Sequence, residues 1–94
     1  MKYSKGIVGS TSFCHVCGRS GAEVHHIFYG PYRSLSEKYG LKTGLCPMHH
    51  RYMKTGVHGG NRELDIRLKR EGQQAFERLY GHERYMEVFG RNYL

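Results

Sequence analysis

The chain has no tryptophan, only two prolines and only three cysteines among its 94 residues. Three is an odd count and too few for the disulfide framework of a small secreted domain, so the thiols are expected to be reduced and available as ligands. Acidic residues are scarce too: eight Asp and Glu face fifteen Lys and Arg, a formal charge of +7. That balance favours a polyanionic partner, nucleic acid first, over the plain alternative of an ordinary solvated basic surface. No apolar run is long enough for a signal peptide or a bilayer span, which argues against a membrane partner and for a cytoplasmic protein. Aliphatic residues are sparse while tyrosines number eight. A single domain of this length buries a modest core, so a bound metal would be a sensible supplement to it.

Residues 1–12, rich in Gly, Ser and Lys without apolar periodicity, are expected to form a flexible basic N-terminal arm, with 13–94 as one domain. Cys14-His15-Val16-Cys17-Gly18 has the shape of a zinc knuckle, the glycine relieving the tight turn. A redox pair is the alternative, but no strand-helix-strand pattern flanks it. His15 is expected to face solvent. Glu23 to Tyr29 has the β-branched and aromatic content of a strand ending at Gly30-Pro31. Ser34-Leu35-Ser36-Glu37 fits a capping box opening a short helix that Gly40 closes. Thr43 to Cys46 predicts a second strand, and Pro47 the first turn of a helix reaching about Lys54. After a loop, Gly56 to Gly60, Asn61 caps a helix whose apolar positions Leu64, Leu68, Ala75, Phe76, Leu79 and Tyr80 keep helical spacing, with Gly72 weakening it midway. A last amphipathic segment, Glu83 to Phe89, stops at Gly90.

The chemistry lies in the thiols and imidazoles. Cys14, Cys17, Cys46 and His49 make a C-x2-C and a C-x2-H separated by twenty-eight residues, four donors from two knuckles and a closed set for a structural Zn2+. Cys46 and His49 are three apart on a helix and reach one ion, while His50 is rotated by about a hundred degrees and faces elsewhere. His25, His26 and His50 then remain beside the knuckles. Together they can hold one divalent ion and leave an imidazole free to take a proton from water, an arrangement suited to phosphodiester hydrolysis. Adjacent histidines on a regular strand point to opposite faces, so the backbone must bend or end there for both to serve one site.

Val24-His25-His26-Ile27 and Leu45-Cys46-Pro47-Met48-His49-His50 resemble the HNH, or ββα-metal, endonucleases, in particular small phage-type members with zinc knuckles. The resemblance covers Cys14 to about Asn61, about half the chain. It implies a small α+β fold of the ββα-metal (His-Me finger) type, stapled by a structural zinc and followed by C-terminal helices. It also implies His25 and His50 on a catalytic divalent metal (Mg2+, Mn2+, Ni2+ or Zn2+), His26 as general base, and zinc on Cys14, Cys17, Cys46 and His49. The substrate it implies is DNA, with RNA also possible, and the setting a bacterial or phage-infected cell. The family's middle Asn has no counterpart, since that region reads Leu41-Lys42-Thr43-Gly44-Leu45. Either backbone groups orient the base or the protein binds DNA without cutting it, and His58 or Asn61 is expected to complete the metal site from the downstream loop. The competing readings are a non-catalytic zinc-knuckle module that binds nucleic acid, with the extra histidines structural, and an RNA-binding knuckle in translation or phage assembly.

Overall fold

The computed structural model of the protein describes residues 6–94. Strand β1 (Glu23–His26) pairs antiparallel with β2 (Lys42–Leu45), Glu23 opposite Leu45, Val24 opposite Gly44, His25 opposite Thr43 and His26 opposite Lys42. Between the strands lie a 3-10 turn, Gly30–Tyr32, and helix α1 (Arg33–Tyr39). After β2 come α2 (Pro47–His50), a second 3-10 turn (Val57–Gly59), α3 (Arg62–Tyr80) and α4 (His82–Phe89). The fold is a small α+β domain with a two-stranded antiparallel sheet and four α-helices. Among the described residues no helix is long and apolar enough to cross a membrane.

The elements depart from their expected bounds for local reasons. β1 stops three residues short of Tyr29 because Ser36 takes over the backbone of Phe28. Its Oγ accepts from Phe28 N at 3.0 Å and donates to Phe28 O at 2.6 Å. These bonds satisfy buried groups that would otherwise need a strand partner. The expected capping box does not form: α1 begins at Arg33 without a side-chain cap, and Glu37 is engaged elsewhere. Gly40 does close α1 in the left-handed region at φ 71°. α2 ends at His50 rather than Lys54, because the chain folds back, Gly56 N donating to Tyr52 O and Lys54 N to Gly59 O at 2.8 Å each.

α3 starts where Asn61 Oδ1 accepts from Leu64 N at 3.1 Å and runs unbroken for 19 residues. Gly72 does not weaken its packing but permits it: a Cβ there would lie 3.2 Å from both Ile27 Cγ2 and Phe28 Cε2. The helix thereby presses directly onto the segment that follows β1. Ile27, Leu41, Leu45, Leu68, Phe76 and Tyr85 are fully buried between these layers. Aromatic rings fill much of the core, Phe28 lying 4.5 Å from Phe89 and Phe76 standing edge-on to Phe89 at 5.7 Å, measured between centroids. Such pairs add to what burial alone contributes.

The N-terminal segment corrects an expectation. Residues 1–5 of the predicted arm lie outside the described residues, but the rest of it is tied to the domain. Ile7 N donates to Gly40 O and Gly44 N to Ser10 O, both at 2.9 Å, and Val8 packs on the core. β2 would otherwise present an open edge of unpaired backbone groups, and this segment covers it. The cover needs Gly44: a Cβ there would run into Phe13 O and come within 2.9 Å of Ala22 Cβ. Gly44→Ala is therefore expected to destabilise the metal-loaded protein by about 2 kcal/mol or more, read as a lowered denaturation midpoint. An unchanged midpoint would mean the segment yields without cost.

Candidate metal centres

Two groups of donor atoms each draw one ligand from the end of α2, His49 and His50. The first is Cys14, Cys17, Cys46 and His49, whose ligand atoms all lie within 4.8 Å of one another. Cys14 and Cys17 sit on a turn closed by the Gly18 N–H to Cys14 O bond of 2.8 Å, with Gly18 at φ +79°. Cys46 lies at the N-cap of α2, before Pro47, with His49 one turn on. The separations are 3.3 Å from Cys46 Sγ to His49 Nδ1, 3.6 Å from Cys14 Sγ to the same nitrogen, and 3.7 Å between Cys17 and Cys46 sulfurs. Bonds of about 2.3 Å arranged tetrahedrally about one ion would give donor–donor edges of about 3.8 Å between sulfurs and slightly less to nitrogen. The cluster matches that shape and can hold a metal ion.

One thiol, that of Cys14, is prepared for that role. At Cys17 a hydrogen bond from the Arg19 backbone favours the thiolate, but desolvation and the neighbouring Cys14 and Cys46 sulfurs outweigh it and push the thiol up. Burial opposes the Cys14 thiolate, yet hydrogen bonds from the backbone of Cys46, Cys17 and Val16 outweigh it and lower its pKa to about 6. His15, expected to face solvent, instead places Nε2 3.1 Å from Glu71 Oε1. The knuckle is thereby pinned to α3.

The second group is His25, His50 and His58, again with ligand atoms within 4.8 Å of one another. Ring centroids are 5.2 Å apart for His25 with either partner and 5.0 Å for His50 with His58. β1, the residue after His49 on α2, and the Val57–Gly59 turn each contribute one imidazole. His25 is almost completely buried, and neither ring nitrogen has a hydrogen-bond partner among the described residues. A buried imidazole without partners is costly unless something binds it, so the orphaned nitrogens point to a missing ligand. Burial first, then the nearby His50 and His58, push the His25 pKa down to about 3, and burial lowers that of His58. His25 is thus a neutral donor at physiological pH, the state a metal requires.

Glu23 orients this site. Its Oε1 lies 2.8 Å from His50 Nδ1, and Arg51 Nε donates to the same carboxylate. A carboxylate can only accept, so Nδ1 carries the proton and Nε2 is left with its lone pair, as in carboxylate–histidine–metal sites. The His50 bond leads the causes that hold the Glu23 carboxyl below its usual range. On the other side, Tyr29 stands edge-on to His58 at 5.0 Å and donates to Asp65 Oδ2 at 3.1 Å, a carboxylate that Lys69 also binds.

The expected site residues therefore divide. Cys14, Cys17, Cys46 and His49 come together, as do His25, His50 and His58. His26 does not join the second group. It turns to the opposite face, where its Nε2 lies 2.8 Å from Glu37 Oε1, and Glu37 Oε2 accepts from the buried Lys42 Nζ at 2.8 Å. Strand alternation separates the two neighbours, and no bend brings both imidazoles into one ligand set. Glu23 and Glu37 were missed from sequence. Glu23 had a signal, since it is two residues before His25 and shares its face of β1. Glu37 had none, because its spacing after Ser34 fits a helix cap equally well. Comparison of the chain with family models, curated proteins and solved structures finds no match in any of the three.

Two outcomes are expected. Cys46→Ser should lose its bound metal and its cooperative unfolding together, by elemental analysis and circular dichroism, because the closed cluster joins the N-terminal knuckle to α2. A folded, metal-free Cys46→Ser protein would contradict that. Glu23→Ala should weaken Mn2+ or Ni2+ binding at the histidine group about ten- to a hundred-fold while the Cys cluster keeps its ion, measured by calorimetric titration.

Proposed function

We propose that the protein is a metal-dependent hydrolase of phosphodiesters, with Zn2+ closed in by Cys14, Cys17, Cys46 and His49 and a second divalent ion on His25, His50 and His58. Within that class the reading is an HNH-type endonuclease of the ββα-metal fold acting on DNA. The observation that supports it most is the pairing of a closed four-donor cluster with an adjacent three-imidazole cluster. Three protein donors leave positions for substrate, as catalytic sites require, whereas four soft donors saturate a structural ion. The all-imidazole set suits Mn2+, Ni2+ or Zn2+ better than Mg2+, which prefers oxygen.

In this mechanism a divalent ion supplies positive charge to the scissile phosphate and the leaving 3'-oxygen. The base for the attacking water in this reading is His26, the last residue of β1; it lies on the opposite face of the strand from the three imidazoles, so the water would have to sit beyond the strand's end. Glu37 accepts the Nε2–H of His26 and so leaves Nδ1 as its basic atom. That contact stands in for the orienting Asn absent from Leu41 to Leu45. Glu23 and Tyr29 hold the imidazoles in place, and the net charge of +7 draws the polyanion in. A second reading has one observation in its favour: His26 points away from the three-imidazole cluster, as it would in a zinc-knuckle module that binds nucleic acid without cutting it.

Nicking of supercoiled plasmid across Mg2+, Mn2+, Ni2+ and Zn2+ separates the two. His26→Ala should slow nicking by about a hundred-fold or more with zinc content unchanged. Nicking at the wild-type rate would remove His26 as the base, and no nicking by the wild-type protein in any metal would favour the binding module.

A further inference from the structure

A cleft of about 310 Å³ opens beside the turn that carries His58, bounded by Val57 and Gly60 on that side and by Arg62, Lys69, Arg91 and Tyr93 on the other. Its charge is lopsided. The one carboxylate in its wall, Asp65, is already bound by Lys69 at 3.1 Å and by the Tyr29 hydroxyl. Arg62 and Arg91 have no carboxylate within ion-pair distance among the described residues, and Arg91 lies over the Tyr93 ring at 5.4 Å. Two guanidiniums without anions, each with five donors in a planar fork, flank a space large enough for a small ligand. Tyr93 in the same wall, with Arg91 5.4 Å and Lys69 5.6 Å from its ring centroid, offers its hydroxyl-bearing edge to a bound sugar or base.

The cleft continues along α3. A second hollow of about 390 Å³ shares Arg62 and Ile66 with it and adds Arg67, Arg70 and one carboxylate, Glu63. Arg67 lies 3.7 Å from Glu71, and Arg70 Nε donates to Tyr93 O at 2.9 Å. The donors thus form a track leading away from His58 along one helix.

We infer that this cleft binds a nucleotide of the substrate strand next to the scissile phosphate, Arg62 and Arg91 gripping its phosphate while Tyr93 meets its sugar or base. The assignment rests on the nuclease reading for the words "scissile phosphate", but the binding itself needs no catalysis. Val57 and Gly60 bracket the His58 turn, so a strand seated in the cleft passes beside that turn. The Arg67 and Arg70 hollow would take the following phosphate.

The test is fluorescence anisotropy with a short fluorescein-labelled oligonucleotide, single-stranded and as a duplex, on the full zinc-loaded chain without added divalent ions. The Arg62→Ala/Arg91→Ala protein is compared with Arg33→Ala/Arg78→Ala, which removes the same charge elsewhere, after circular dichroism and zinc content show both to be folded. The cleft variant should bind about ten-fold or more weakly, with a salt dependence shallower by about two phosphate contacts, while the control changes less than about two-fold. Equal losses in the two variants, or no measurable binding by the wild-type chain, would overturn the assignment. So would displacement of the oligonucleotide by inorganic phosphate at matched ionic strength, since the cleft would then be a site for the free anion. Plasmid nicking is scored separately: binding with the expected variant pattern but no nicking removes the nuclease reading and leaves the cleft, and nicking with equal variant losses does the reverse.

Discussion

The register between β1 and β2 is the constraint on which both donor clusters depend. With Glu23 opposite Leu45, the end of β2 delivers Cys46 and α2 beside the start of β1. Glu23 then meets His50, and His25, two residues along on the same face, meets His50 and His58. Because side chains alternate along a strand, a slip of one residue would turn His25 to the face now held by His26 and point Val24 at His50 and His58. The ladder is only four residues long, so the register needs outside support. The N-terminal segment bonded to Gly44 and the Ser36 bridge to Phe28 supply it.

Polar burial follows from the same arrangement. His25, His26, Lys42 and Thr43 are all buried on or between two short strands, an unusual load for so small a core. Carboxylates meet much of it: Glu37 takes His26 and Lys42, and Glu23 takes His50 and Arg51. His25 and Thr43 are the exceptions: the Thr43 hydroxyl has no partner among the described residues, and the unsatisfied nitrogens of His25 face the two other imidazoles rather than an acid. A protein selected only for stability would replace such a histidine with an apolar residue. Its retention at the centre of three convergent donors is what a ligand site looks like when described without its ligand.

The helical layer acts as a frame for this small sheet. α3 presses on Ile27 and Phe28 through Gly72, binds the knuckle through Glu71 and His15, and braces Tyr29 through Asp65 and Lys69. A single long helix therefore touches the supports of both clusters. Its arginines Arg62, Arg67 and Arg70 line two hollows that share Arg62 and Ile66.

Much was readable in the residues themselves. Cys14, Cys17, Cys46 and His49 announce one site because two-residue spacers put paired donors within reach of one ion wherever the knuckles form. Asn61, Gly40 and Gly90 mark helix ends because capping is a local interaction. The carboxylate partners of His26 and His50 were not readable, although His25, His50 and His58 were expected on one ion and do come together. His58 is eight residues beyond His50 in a glycine-rich loop, and only the fold-back through Gly56 and Gly59 closes that distance. Glu37 looked like a helix cap until α1 started two residues earlier and turned its carboxylate to His26. Local spacing sets which atoms can chelate and where helices stop, since those interactions span a few bonds. Which imidazole finds a metal partner and which finds a carboxylate depends on strand register and helix packing, which join residues far apart in the chain.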